Sequence, residues 1–218
     1  EKPCVYFGFR QDVTREQWER LFARQDIAGM LACLYRFEVQ PGDTLLIEGG
    51  VPHAIGAGCF LAEIQEPTDY TIRVERTTPS GFPVADFMCH QGLGFEKMFD
   101  CFHYDSLTQQ EVANRWFVPA RTLERQAGGE RQSLIGYDRT PMFAMNRLDV
   151  HGTLEVPYEP QFSGLVLLAG EGELLCDNER IPLARAQQYF IPAGVRAMRI
   201  CAAAGQPITA LQCFGPRP

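Results

Sequence analysis

The sequence predicts a mainly β protein with helical insertions, its strands forming two related β units suited to a sandwich or barrel. Three observations carry this. From about residue 142 onward the chain reads as short strands only, separated by Gly170-Glu171-Gly172, Asp177-Asn178 and Pro192-Ala193-Gly194. Residues 39–73 give a second strand-rich stretch, opened by the Pro41-Gly42-Asp43 turn and broken by Gly49-Gly50. Finally, QYFIPAGVRA at 188–197 repeats the pattern of TLLIEGGVPH at 44–53, with Ala197 standing where His53 stands. The organisation expected is a first β unit with a helical segment over 1–80, a helical and loop connection over 81–140, and a second β unit over 141–218.

Composition narrows the function classes. The chain has 218 residues, 45% hydrophobic and 22% charged, which is ordinary for a globular protein. No apolar run reaches the roughly 18 residues of a membrane-spanning helix. The net charge of −7 argues against a nucleic-acid partner but leaves room for a phosphorylated small molecule held by a few arginines. Eight cysteines occur with no CxxC pair, mostly inside apolar runs where a thiol packs as a small hydrophobe. A reducing cytosol is the expected home.

Taken in order, PCVYFGF at 3–9 alternates aromatic and small residues and reads as a strand without lead-in, so that a preceding segment is expected. Thr14-Arg15-Glu16-Gln17 has the form of a capping box, followed by Trp18, Leu21 and Phe22 at helical spacing, which predicts a helix over 14–24. Asp26 caps a second helical piece that ends near residue 34. Strands are then expected at 44–47, 59–65 and 70–75. Phe95, Met98, Phe99 and Phe102 mark a core-facing helix, and Thr108-Gln109-Gln110-Glu111 caps another helix reaching Trp116. A turn follows at 127–130. The final strands are expected at 143–150, 153–156, 164–168, 173–176, 188–191, 197–201 and 208–214.

Within 39–73, His53, Glu63, Gln65 and Arg73 would sit on adjacent strands of one small sheet, Glu63 and Gln65 sharing a face. His53, on a glycine-rich turn at a strand start, reads either as a metal ligand or as a histidine satisfied by a backbone carbonyl. Glu63 and Gln65 read as oxygen donors or as one solvated strand face. Arg73, between Ile72 and Val74, reads as a guanidinium holding a phosphate or an enediolate oxygen, or as an ion-pair partner of Glu63 or Asp69. His90 and His103 fall in segments read as helical and are taken as ordinary polar residues.

GDTLLIEGGVPHAIGAG followed by LAEIQEPTDYTIRV resembles the type I mannose-6-phosphate isomerases of the cupin superfamily, in the short bacterial form. The family pattern is a GD turn, a hydrophobic strand, a Gly-x-x-His-Ala-Ile-Gly segment, and an acid ten residues before an arginine, here Glu63 and Arg73. The opening YFGF and the closing FGP fit as well. The resemblance implies a cupin, a jelly-roll-like β-barrel, with 1–80 as a partial catalytic unit and 141–218 as a C-terminal cupin-like unit. It implies isomerisation of mannose 6-phosphate and fructose 6-phosphate through a cis-enediolate with one zinc ion, in the cytoplasm.

Family members hold zinc with a Gln and a His from one strand, a Glu from a Gly-Lys-Thr-Glu segment, and the His of the HAIG segment. Only the last maps here, to His53. By the same resemblance Arg73 stabilises developing charge or contacts phosphate, and Glu63 lines the pocket or moves a proton. The other zinc ligands would precede residue 1, so the resemblance implies an N-terminally shortened form, or one completed by a separate chain, with weak zinc binding and little activity alone. Two other readings stand beside this one. The first is a non-catalytic sugar-binding or regulatory cupin. The second is a metal-dependent cupin oxygenase or epimerase, which would need two or more histidines in one barrel.

Overall fold

A computed structural model describes residues 2–68 and 70–217. It divides into two compact units: Glu1–Glu63 with Pro67–Phe117, and Ile64–Glu66 with Val118–Pro218. The main division falls between Phe117 and Val118, within the stretch 81–140. The helical half of that region packs into the first unit. The rest supplies two strands to the second, whose RTLERQ and GERQSLI segments look too polar in sequence to be read as strands.

The first unit is built on β1 (Cys4–Phe9), which pairs antiparallel with β2 (Leu34–Glu38) on one side and β3 (His53–Ile55) on the other. Gly8, at φ 69°, is the extra residue of a bulge: Phe7 faces Tyr35 while Phe9 faces Leu34. The bulge turns Phe9 to the opposite face from Phe7, so β1 feeds two cores. Val5 and Phe7 pack with Val51, Val112 and Trp116, whereas Phe9 packs with Trp18, Phe22, Met98 and Phe99. Strand, bulge and both cores are thus fixed by one short aromatic run.

Helix α1 (Arg15–Arg24) begins where the Thr14 side chain accepts from the Gln17 amide, and α2 (Ile27–Ala32) where Asp26 accepts from Gly29. After β3 come α3 (Asp86–His90), α4 (Phe95–Met98) with a 3-10 turn over Phe99–Cys101, and α5 (Gln109–Trp116). A reciprocal capping box between Thr108 and Glu111 starts α5. The phenylalanine run at 95–102 is thus a helical turn tightening into a 3-10 turn rather than one continuous helix, although Met98 and Phe99 are buried as expected. His90 ends α3, whereas His103 lies beyond the 3-10 turn, outside any helix.

In the second unit a six-stranded sheet, ordered β11-β8-β13-β6-β5-β4, faces a four-stranded sheet, ordered β10-β9-β12-β7. The strands are β4 (Arg121–Gln126), β5 (Gly129–Ile135), β6 (Ala144–Val150), β7 (Thr153–Val156), β8 (Ser163–Ala169), β9 (Glu171–Cys176), β10 (Glu179–Ala184), β11 (Gln188–Ile191), β12 (Met198–Ala202) and β13 (Ile208–Phe214). Leu148, Leu165 and Leu167 from one sheet meet Leu154, Leu174 and Ile200 from the other in a single core. Each contributes about 2 kcal/mol by leaving water. This is a cupin-type, jelly-roll-like fold of mainly β structure with helical insertions. Its described sheets keep open edges instead of closing into a barrel.

Candidate active site

The small polar sheet expected over 39–73 does not form among the described residues, and only His53 of its four polar residues stands in a strand. The reason is where the backbone groups go. Over 44–47, Leu45 makes one isolated bridge to Phe117, and the Leu46 amide donates to the Trp116 carbonyl at the end of α5. Over 70–75, the Arg73 amide donates to the Cys89 carbonyl of α3. The Gln25 side chain takes the Val74 carbonyl at 3.2 Å and the Arg76 amide at 2.7 Å. Helix ends and one glutamine side chain thus satisfy groups that a neighbouring strand would otherwise pair. Over 59–65 the chain runs at the surface, with Phe60 99% exposed.

His53 is firmly presented. Gly50 takes φ 82°, and its carbonyl accepts from the His103 amide at 2.9 Å. A β-carbon at Gly50 would lie 2.7 Å from the His103 ring, so glycine is required here for close approach as well as for its φ. The Pro52 carbonyl accepts from Gly8 at 3.0 Å. Just upstream, Glu48 accepts from Arg115 at 2.8 Å and from the Trp116 indole at 3.2 Å. With its loop pinned by β1, α5 and the His103 segment, His53 enters β3 beside Phe7, its side chain exposed on the same face as Ile55. Its Nδ1 lies 3.0 Å from the Val51 carbonyl. A protonated Nδ1 donating there leaves Nε2 with its lone pair outward, the arrangement that orients an imidazole for a metal.

Arg73 points away from the core that takes Ile72 and Val74, because an extended backbone alternates its side chains. Its Nη1 donates to the carbonyls of Thr71 at 3.3 Å and Met88 at 3.2 Å. Asp69, one of its expected ion-pair partners, lies outside the described residues. Glu63 is exposed on the surface segment, and Gln65 falls in the stretch Ile64–Glu66 that groups with the second unit. His53, Glu63 and Arg73 thus stand on three separate pieces of backbone. Among the described residues no three His, Cys, Asp or Glu side chains are placed to hold a metal ion, so the donor set present does not by itself fit zinc.

One feature of this region lay beyond the sequence reading. Gly8, Pro52, His103, Asp105 and Trp116 line a void of about 10 Å³, the room of roughly one water. No spacing links residues 103 and 105 to residue 52; the Gly50 approach brings them there.

No protein-family model matches the chain. The Bacillus subtilis protein YvyI, which carries a mannose-6-phosphate isomerase name, is 24% identical over 166 residues, 73% of this chain and 46% of that protein. The mannose-6-phosphate isomerase of Streptococcus mutans is 25% identical over 187 residues, 84% of this chain and 52% of that enzyme. The crystal structure of the Bacillus subtilis mannose 6-phosphate isomerase superposes with a TM-score of 0.75 at 19% identity, covering 98% of this chain and 61% of that one. The chain resembles the type I mannose-6-phosphate isomerases. It spans about half the length of the curated isomerase relatives it matches. No helix among the described residues is long and apolar enough to cross a membrane.

Proposed function

We propose that this chain carries part of the active site of a mannose-6-phosphate isomerase, an aldose–ketose isomerase acting on a sugar phosphate. The observation that supports it most is the match to two proteins of that name over 73% and 84% of the chain, on a shared fold. In this reading a base removes the proton at C2 of mannose 6-phosphate, giving a cis-enediolate. The proton returns at C1 to give fructose 6-phosphate, with no net change in composition. Glu63 lines the pocket or carries the proton, and the Arg73 guanidinium balances charge on the enediolate oxygen or the phosphate.

Among the described residues, this reading assigns His53 alone to a metal set, contributing Nε2. The described residues lack the rest of a zinc set, so none of the steps assigned to Glu63 and Arg73 is routed through the ion. A second reading is a sugar-binding or regulatory cupin without catalysis, favoured by the repeat at 188–197, where Ala197 stands in the place of His53. A coupled isomerase assay on the natural protein containing this chain, alongside metal analysis of the same sample, decides between them. Turnover of mannose 6-phosphate supports the first; binding without turnover supports the second.

A further inference from the structure

The second unit contains a cavity that the isomerase reading leaves unused. On the inner face of its six-stranded sheet, Ser133, Asn146 and Gln212 are cross-strand neighbours on β5, β6 and β13, and all three are buried. A polar row inside an otherwise apolar sandwich costs stability unless each group is bonded. Gln212, 3% exposed, donates through Nε2 to the Ser163 hydroxyl at 3.1 Å on β8. Its Oε1 is buried and has no partner among the described residues. Exchanging the two ends of the amide leaves the other end unpaired instead, so the orphan belongs to the position. Leaving it so costs about 1–3 kcal/mol.

Gln212 and Ser163 face a cavity whose walls include Val156, Ile191, Val195 and Met198. Its room is about 20 Å³, enough for one or two waters or one hydroxymethyl group. The mouth is polar: Arg196 lies 5.3 Å over the Tyr158 ring, with Glu159 and Gln161 beside it. An amide acceptor and a hydroxyl at the floor, apolar walls, and mixed charge at the opening form a pocket with a few convergent polar groups. That set matches a hydroxyl that donates to Gln212 and accepts from Ser163, on a body rich in further hydroxyls. A phosphate on the same body would meet Arg196.

We propose that the cavity over Gln212 and Ser163 binds a polyhydroxylated small molecule, a hexose or hexose phosphate, one hydroxyl of which enters to satisfy the Gln212 amide. The choice of hexose rests on the isomerase reading, but the site is separate from the proposed active site, since every residue in it belongs to the second unit. The test titrates the 218-residue chain with D-mannose and, separately, D-mannose 6-phosphate, following Tm and hydrogen exchange. With about 10 mM sugar and a Kd of about 1 mM, the melting temperature rises by about 3 °C or more. Amides of β8 and β13 exchange more slowly. Gln212→Leu abolishes the rise while keeping a Tm at or above that of the parent. Arg196→Ala weakens the phosphorylated arm only. The same rise persists in His53→Ala, which separates this cavity from the proposed active site. No rise and no slowing in the parent chain with either sugar, or an undiminished rise in Gln212→Leu, overturns the proposal. If Gln212→Leu does not fold, the exchange pattern of the parent chain decides: protection at β8 and β13 supports the site, and protection elsewhere or none removes it.

Discussion

Nδ1 of His53 and the carbonyl oxygen of Val51 stand 3.0 Å apart, closing a short bond within the loop that leads into β3. The bond fixes which ring nitrogen carries the proton and so turns Nε2 outward. If Nε2 is one ligand of a metal in the protein that contains this chain, His53→Asn should lower metal affinity by at least about 10-fold, because one of about four ligands is lost. The fold should be unaffected, since the side chain is exposed. Metal content after dialysis against a chelator, read beside the circular dichroism of the same sample, checks this. Unchanged metal retention removes His53 from the set.

Arg73 gives a sharper separation of fold from chemistry. Its side chain is exposed and its two bonds among the described residues are to backbone carbonyls at 3.2 and 3.3 Å, so Arg73→Ala should shift stability by no more than about 0.5 kcal/mol. Removal of a charge-stabilising donor lowers turnover by about 100-fold or more. If the proposed function holds, the expected result in the protein that contains this chain is an intact melting curve with kcat reduced by that factor. Turnover near the parent value excludes Arg73 from the mechanism.

Most strands of the second unit were legible in the sequence because their turns carry a glycine, proline, aspartate or asparagine, and because Leu148, Leu154, Leu165 and Leu174 recur on the inward face. β10 was not read as a strand: its turn into β11, Arg185-Ala186-Gln187, carries none of these residues. The first unit was less legible. Thr71 to Glu75 alternates exposed and half-buried residues as a strand does, and Thr44 to Ile47 is buried or half-buried throughout, but their hydrogen-bond partners are helix ends and Gln25, which local pattern does not reveal. For the same reason the sequence brought His53, Glu63, Gln65 and Arg73 onto one sheet, whereas only His53 lies in a strand. β4 and β5 were hidden by their polar residues. Gln212 and Ser163 were hidden because polar residues at two inward positions of otherwise apolar strands give no spacing signal.

The Thr108–Glu111 capping box makes a prediction about pH. The Thr108 amide donates to the Glu111 carboxylate at 2.8 Å, and that bond, followed by the one from the Thr108 hydroxyl, holds the Glu111 carboxyl below its ordinary range. A carboxyl whose folded pKa is lowered stabilises the fold above its unfolded value, about 4.5, and this contribution is lost as pH falls through the lower folded value. Glu111→Gln should therefore narrow the difference in Tm between pH 7 and acid. Thr108→Ala should cost about 1 kcal/mol at neutral pH by uncapping α5. Parallel melting curves of the three proteins from neutral to acid pH test both, and an identical acid dependence in Glu111→Gln refutes the first.

At the alkaline end the relevant group is Tyr104. Its ring stacks on Phe9 with centroids 5.0 Å apart, and its hydroxyl donates to the Phe99 carbonyl at 3.1 Å. Burial against this core pushes the phenol up to about 12 from an ordinary 10. Burial penalises the phenolate, so the fold prefers the protonated form. The sign follows: Tyr104 contributes fully below pH 10, and the contribution fades as pH rises from 10 towards 12, because the unfolded chain releases the proton first. Tyr104→Phe keeps the stacked ring and gives up only the hydrogen bond, costing about 1 kcal/mol at neutral pH. It also removes the ionisation, so its stability should decline less steeply than that of the parent across that interval. Urea unfolding of both proteins between pH 9 and pH 12 measures the two slopes. Parallel slopes would mean that the Tyr104 hydroxyl reaches solvent before the core around Phe9 opens.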